Sequence, residues 1–165
     1  LKELITLPNG LLRMRPEPVK EIDSEVKALA REMGEFMRFN QSKKLKPVSL
    51  SAVQLGELVR VLAFYPSPQS EDKDIQILIN PELVYAKGSR RVYESCLSIP
   101  GRTFVLKRAK IVKIQGLTLD GTERSFRGHD LLAQVFQHEL NHLDGILIDQ
   151  LSNDQLGKEN LEQRI

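Results

Sequence analysis

The run Gln137 to His142, QHELNH, constrains what this chain can fold into more than any other part of it. On a helix of about 3.6 residues per turn, side chains four apart stand one above the other, so His138 and His142 can present ring nitrogens to one cation. Glu139 is angled beside that cation rather than onto it. A divalent ion held by few protein ligands keeps a water and lowers its pKa to about 7, and a neighbouring carboxylate then takes the proton. HExxH thus supplies two ligands and a base. The plain alternative is an amphipathic helix that carries histidines by accident. Against it, the chain has only three histidines, and two of them flank a glutamate at ligand spacing. The helix is credible in its own right: Asp130 is placed to cap it, Leu132, Phe136, Leu140 and Leu143 make one apolar stripe, and Gly145 ends it. Leu131, Val135, His138 and His142 make a second stripe that begins apolar, which turns the histidines toward the core or a cleft.

The third ligand decides the kind of enzyme. The string runs on as HELNHLDGILI, and Ile148 stands where a metzincin would place a third histidine, so that arrangement fails. Glu162, twenty residues beyond His142, has a spacing that fits a thermolysin-like peptidase. It lies in a terminal tail rich in Glu, Gln and Lys, where a solvated glutamate is the ordinary reading. Cys96, the single cysteine, stands within YESCLSIPG. A lone cysteine is usually a small buried hydrophobe. Here Arg91 to Leu97 reads as a strand ending at Ser98 and a Pro100–Gly101 turn, which would let a thiolate face the helix. A Cys/His/His set with an open fourth position suits iron or zinc.

Elsewhere Asp23 starts a helix whose Val26, Leu29, Ala30, Met33, Phe36 and Met37 follow helical spacing. Asn40 to Pro47 is a polar, basic break, with Lys43, Lys44 and Lys46 read as a solvated loop. Strands are expected at Val59 to Tyr65, Ile75 to Ile79, Leu83 to Tyr85, Arg91 to Leu97, Phe104 to Leu106 and Ile111 to Leu119. A hairpin through Asp120–Gly121 then leads into Thr122 to Phe126. Strands in the middle with helices at both ends give an α+β class, antiparallel-rich β-sheets packed around a central HExxH metal-binding helix. At 165 residues the chain suits one domain, 1–165, able to bury roughly two thirds of its unfolded surface.

Composition narrows the partners. One cysteine excludes an internal disulfide and fits a reducing compartment. A net charge of +2 is too small to point to nucleic acid. No apolar run approaches a membrane span, and no signal-peptide core precedes the first element. The chain begins at Leu1 without methionine, a beginning that a trimmed transit peptide or tag would also give.

Three short motifs in order carry a family resemblance: PVSLSAVQ at Pro47 to Gln54, ESCLS at Glu94 to Ser98, and QHELNH. The chain resembles the peptide deformylases, whose pattern is GxGxAAxQ, EGCLS and QHExDH. INPEL at Ile79 to Leu83, LSIPG after the cysteine, the DG turn and HLDGILI extend the likeness from Ile5 to about Leu151. The resemblance implies hydrolysis of the N-formyl amide on nascent peptides that begin with formylmethionine, releasing formate. It makes Cys96, His138 and His142 the metal ligands and Glu139 the base. The side-chain amide of Gln54 and the backbone N–H of Leu97 become the oxyanion donors, and Glu94 with Arg108 a supporting ion pair. Val48, Ser49, Ser95, Gln134 and Val135 would bind substrate. The implied metal is ferrous iron, with zinc or nickel able to occupy the same ligands. Proximity to the ribosome follows, in a bacterial cytoplasm or an organelle. Two other classes stand beside this reading: a thermolysin-like metallopeptidase using Glu162, and a catalytically degenerate deformylase-like binding protein.

The departures from the pattern are specific. Pro47 and Ser49 replace glycines, Ser51 and Val53 replace its next small and turn residues, Ser95 replaces the glycine before the cysteine, and Asn141 replaces an aspartate. None replaces a metal ligand, the base or the glutamine. Glycine permits close backbone approach and positive φ, and proline removes an N–H. The expected effect therefore falls on the substrate cleft and leaves the metal chemistry untouched. Gln134, one turn before His138, stands where deformylases have an apolar residue. It is expected either to line the pocket, favouring a smaller or more polar first residue, or to point to solvent at the rim.

Overall fold

In a computed structural model the described residues are 2–41, 47–71, 74–152 and 155–156. Chain order is α1 (Ser24–Gln41), β1 (Ser49–Ser51), β2 (Val61–Phe64), β3 (Gln76–Lys87), β4 (Arg90–Cys96), β5 (Ile99–Arg108), β6 (Ile111–Leu117), β7 (Glu123–His129), α2 (Asp130–Leu143), α3 (Ile148–Leu151) and β8 (Gln155–Leu156). Two sheets form, β1-β2-β3-β6-β7 and β4-β5-β8, and every strand pair within them is antiparallel. The α+β class and the HExxH helix between sheets are as expected.

β2 shows why the larger sheet sits where it does. Successive strand side chains point to opposite faces. Val61 and Ala63 join Leu29, Met33, Phe36 and Met37 of α1 on one face, while Leu62 and Phe64 join Ala133 and Phe136 of α2 on the other. The sheet is thereby buried between the two helices, and α2 is fixed by its apolar stripe. Phe64 and Phe136 meet edge to face at 5.1 Å, which adds a directional contact to the area they bury. A third cluster, Leu12, Val92, Cys96, Ile99, Phe104, Leu106, Leu147 and Ile148, lies under the smaller sheet.

Asp23 caps α1 as its sequence suggests, accepting from Val26 N at 2.9 Å. Asp130 does not cap α2. His129 occupies the N-cap, and Asp130 is the first helical residue, with φ 51 and its carboxylate turned 3.5 Å from Arg90. Aspartate is among the few residues that tolerate this left-handed conformation. Gly145 follows the Asp144 C-cap with φ +72, and a Cβ there would stand 2.8 Å from Arg13 O, so both backbone conformation and space require glycine.

Two expected strands, Ile75 to Ile79 and Leu83 to Tyr85, are one strand. β3 continues through a bulge at Asn80–Pro81, because Asn80 takes φ 50 and its side-chain amide pairs with both N and O of Val19 at 2.8 Å. β5 likewise starts earlier than expected, at Ile99. Its register with β4 jumps from Ser95↔Thr103 to Cys96↔Ile99, so residues 100–102 bulge and the turn is Leu97–Ser98 rather than Pro100–Gly101. That bulge sets Cys96 at the last position of β4. Glu162 and the Lys43, Lys44 and Lys46 loop lie outside the described residues.

Candidate active site

Cys96, His138 and His142 converge, with one donor atom from each lying within 4.8 Å of the others. Their elements explain the convergence. α2 offers both imidazoles from one face, and the β4–β5 turn brings the thiol to it. Cys96 Sγ stands 3.3 Å from His142 Nε2. His138 Nδ1 is bonded to Glu94 Oε1 at 2.6 Å, which leaves Nε2 to face the cluster. His138 is partly buried and His142 fully so.

Electrostatics fit a cation here. Burial opposes charge on His138, yet bonds to Cys96 and Glu94 and the nearby Glu139 carboxylate outweigh it and raise its pKa to about 10. The site therefore favours positive charge at this point, where a divalent ion would satisfy the same field. His142 is shifted the other way, well below its usual value, by burial and then by His138. It is held neutral, the form in which imidazole binds a metal. One soft sulfur and two imidazoles suit iron or zinc.

Glu94 supports this arrangement from below. Its carboxylate receives Arg108 Nη2 at 2.6 Å and Nε at 3.0 Å, a two-pronged pair between side chains that are both almost fully buried. Burial pushes the Glu94 pKa up, but the bonds from His138 and Arg108 prevail and hold it below its usual value. Arg108 also donates from Nη1 to Asn141 Oδ1 at 2.6 Å, so the residue that replaces aspartate in the third motif remains a partner of the ion pair.

Gln54 is buried beside the thiol. Its Oε1 accepts from Ser51 N at 3.0 Å, which directs the amide nitrogen toward Ser98 Oγ at 3.2 Å and Cys96 Sγ at 4.0 Å. Leu97 opens the two-residue turn after Cys96. Glu139 is 2% exposed and lies next to His138 in sequence.

A cleft of ≈ 260 Å³ opens onto His138 and Glu139, and the five expected substrate residues, Val48, Ser49, Ser95, Gln134 and Val135, all line it. An apolar recess of Tyr65, Pro68 and Leu132 continues from it past Val48, Leu131 and Val135. A larger cavity of ≈ 590 Å³ lies between the N-terminal segment and α1 and holds none of the metal-cluster residues. Size does not locate the site: it is the smaller cleft that meets His138 and Glu139. Gln134 lines the cleft, and its Nε2 donates to Tyr93 O at 3.1 Å.

Ser49 lines the cleft as expected, and the contacts of both serines reach beyond it: Ser49 Oγ donates to Glu139 Oε1 at 2.6 Å and Ser51 Oγ to Oε2 at 2.5 Å. These departures from the family pattern thus touch the side chain expected to act as base. Sequence reasoning also missed Gln137, whose side chain pairs with N and O of Ala109 at 2.9 and 3.1 Å and ties α2 to the end of β5. Its place in the third motif was the available signal. Ser98, which receives the Gln54 amide, carried the same kind of signal as the last residue of ESCLS.

An HExxH helix facing a cysteine at a strand end, with a buried carboxylate beside the two histidines, is the arrangement of a metal-dependent hydrolase. The family model described as Polypeptide deformylase matches residues 1–156. The peptide deformylase of Dictyoglomus thermophilum is 38% identical over 148 residues, covering 90% of both chains. That of Bartonella tribocorum is 35% identical over 156 residues, covering 92% of this chain and 85% of that one. The fold matches the crystal structure of a peptide deformylase from Legionella pneumophila with TM-score 0.83 at 27% identity, over 99% of this chain and 90% of that one. It matches that from Thermotoga maritima with TM-score 0.81 at 26% identity, over 93% and 99%. The chain belongs to the peptide deformylase family, and its activity is that of a metal-dependent hydrolase.

Proposed function

We propose that this single domain, 1–165, removes the formyl group from the N-terminal residue of formylated peptides. The observation that carries the reading is the meeting of Cys96, His138 and His142 beside the buried Glu139, with a cleft of ≈ 260 Å³ opening onto His138 and Glu139. A divalent cation on those three ligands would supply a water of lowered pKa and polarise the formyl carbonyl. Ferrous iron is the proposed ion, with zinc or nickel as substitutes on the same donors.

The chain's own residues do the rest. Glu139 takes the proton of the attacking water and returns it to the leaving amine as the C–N bond of the formyl amide breaks and formate departs. The Gln54 amide, oriented by Ser51 N, donates to the oxyanion together with Leu97 N–H, each contributing about 3 kcal/mol in a site closed to water. Glu94 and Arg108 hold His138. Val48, Ser49, Ser95, Gln134 and Val135 receive the first side chain, and formylmethionine at the start of nascent chains is the proposed substrate. Such chains place the enzyme near ribosomes, in a bacterial cytoplasm or an organelle. No helix among the described residues is long and apolar enough to cross a membrane.

Formate release from a formyl-Met peptide by iron-loaded protein tests the reading. Loss of release on chelation and its return on adding metal are expected. Stoichiometric metal without any formate would sink it.

A further inference from the structure

Two residues that depart from the family pattern converge on the base. Ser49 and Ser51 stand two apart on β1, so their side chains share one face of the strand, the face toward α2. Each hydroxyl reaches a different oxygen of Glu139, at 2.6 and 2.5 Å. Ser51 Oγ also lies 3.3 Å from the Glu139 carbonyl, but its single proton serves the closer carboxylate oxygen. All three side chains are buried, so little water competes for these bonds.

The family pattern has glycine and a small residue at these positions, and neither brings a hydroxyl. The last torsion of a glutamate is broad and has no sharp preferred value. A buried carboxylate without fixed partners therefore samples orientations, only some of which reach both the attacking water and the leaving amine. A carboxylate oxygen has two acceptor sites. One serine on each oxygen fixes the plane of the group and leaves one site on each for proton transfer.

We propose that Ser49 and Ser51 are positioning residues that hold both oxygens of Glu139 in the orientation proton transfer requires. The inference rests on the role of Glu139 as base given above. Its consequence is a loss of turnover when either hydroxyl is removed, with little change in substrate affinity for Ser51, which does not line the cleft. The competing account is polar packing, in which the hydroxyls merely satisfy themselves on the nearest acceptor.

The test uses metal-loaded protein with formyl-Met peptide and equal metal content in every variant. Ser49→Thr and Ser49→Val have nearly the same shape and differ in the hydroxyl. Ser49→Val and Ser51→Ala should each lower kcat about tenfold, with KM within about threefold for Ser51→Ala, and Ser49→Thr should recover most of the kcat that Ser49→Val loses. In a Glu139→Gln background the same two substitutions should change the residual turnover less than about twofold, because the group they orient is gone. Metal content and Tm should hold. Equal behaviour of the Thr and Val variants, a rise in kcat for Ser51→Ala, or loss of metal from the serine variants would each overturn the proposal. Undiminished losses in the Glu139→Gln background would sink the positioning role alone. Parental turnover by Glu139→Gln itself would remove the base assignment, and the proposal with it.

Discussion

His138 Nδ1 lies 2.6 Å from Glu94 Oε1, across 44 residues of sequence, and this bond ties the metal helix to the strand that carries Cys96. A carboxylate on the far nitrogen of a ligating imidazole fixes its tautomer and aims the other nitrogen at the metal. Arg108 in turn neutralises the carboxylate, so one buried chain of contacts runs from Asn141 through Arg108 and Glu94 to His138.

Breaking that chain should be costly in two distinguishable ways. Arg108→Met leaves the buried Glu94 carboxylate without its guanidinium partner, and unfolding experiments should show a loss of about 3–5 kcal/mol. Glu94→Gln keeps the shape but weakens the hold on His138, and metal titration should show affinity lowered about 10- to 100-fold. Unchanged values for both variants would mean that the network is incidental.

Cys96→Ser and Cys96→Ala are expected to lose metal or activity, whereas Glu162→Ala should do little. Metal analysis alongside formate assays distinguishes the two sets. A peptidase that ligates through Glu162 would give the opposite pattern.

Glu139→Gln is expected to retain near-stoichiometric metal and lose at least ~10²-fold in turnover, the usual range for a positioned general base. A metal-free Glu139→Gln protein would make this residue a ligand.

Selectivity at the first residue should depend on Gln134. Its amide nitrogen is already paired with Tyr93 O, so the pocket bears less of an unpaired polar group than the sequence suggests. Replacing it by isoleucine should still add apolar wall beneath a thioether. Steady-state constants for formyl-Met, formyl-Ala and formyl-Ser peptides should show the formyl-Met preference rising by up to about tenfold in Gln134→Ile. An unchanged preference would mean that the side chain does not meet the substrate.

Phe136→Ala removes a fully buried ring that anchors α2 on Phe64, and should cost about 3–5 kcal/mol of stability. Chemical denaturation of the metal-loaded protein measures it. A small effect would show that the sheet contact is not what holds the helix.

Some of this was legible in the chain because its physics is local. Helical spacing alone puts His138 and His142 on one face and Phe136 on another, and the apolar periods of α1 and α2 mark both helices without reference to anything distant. Motif resemblance then joined Gln54 and Arg108 to the site, for which Cys96 was already a candidate from the strand it ends. The bulge that continues β3 through Asn80 and the jump that moves the turn to Leu97–Ser98 were not legible, because each depends on partners elsewhere: Asn80 on Val19, and Cys96 on the pairing of β4 with β5. Nor was the meeting of Ser49 with Glu139, 90 residues apart. A helix carries its own register in its backbone hydrogen bonds. Two strands and a helix acquire a mutual register only when their apolar faces close on one another, and that closure decided which hydroxyls reach Glu139.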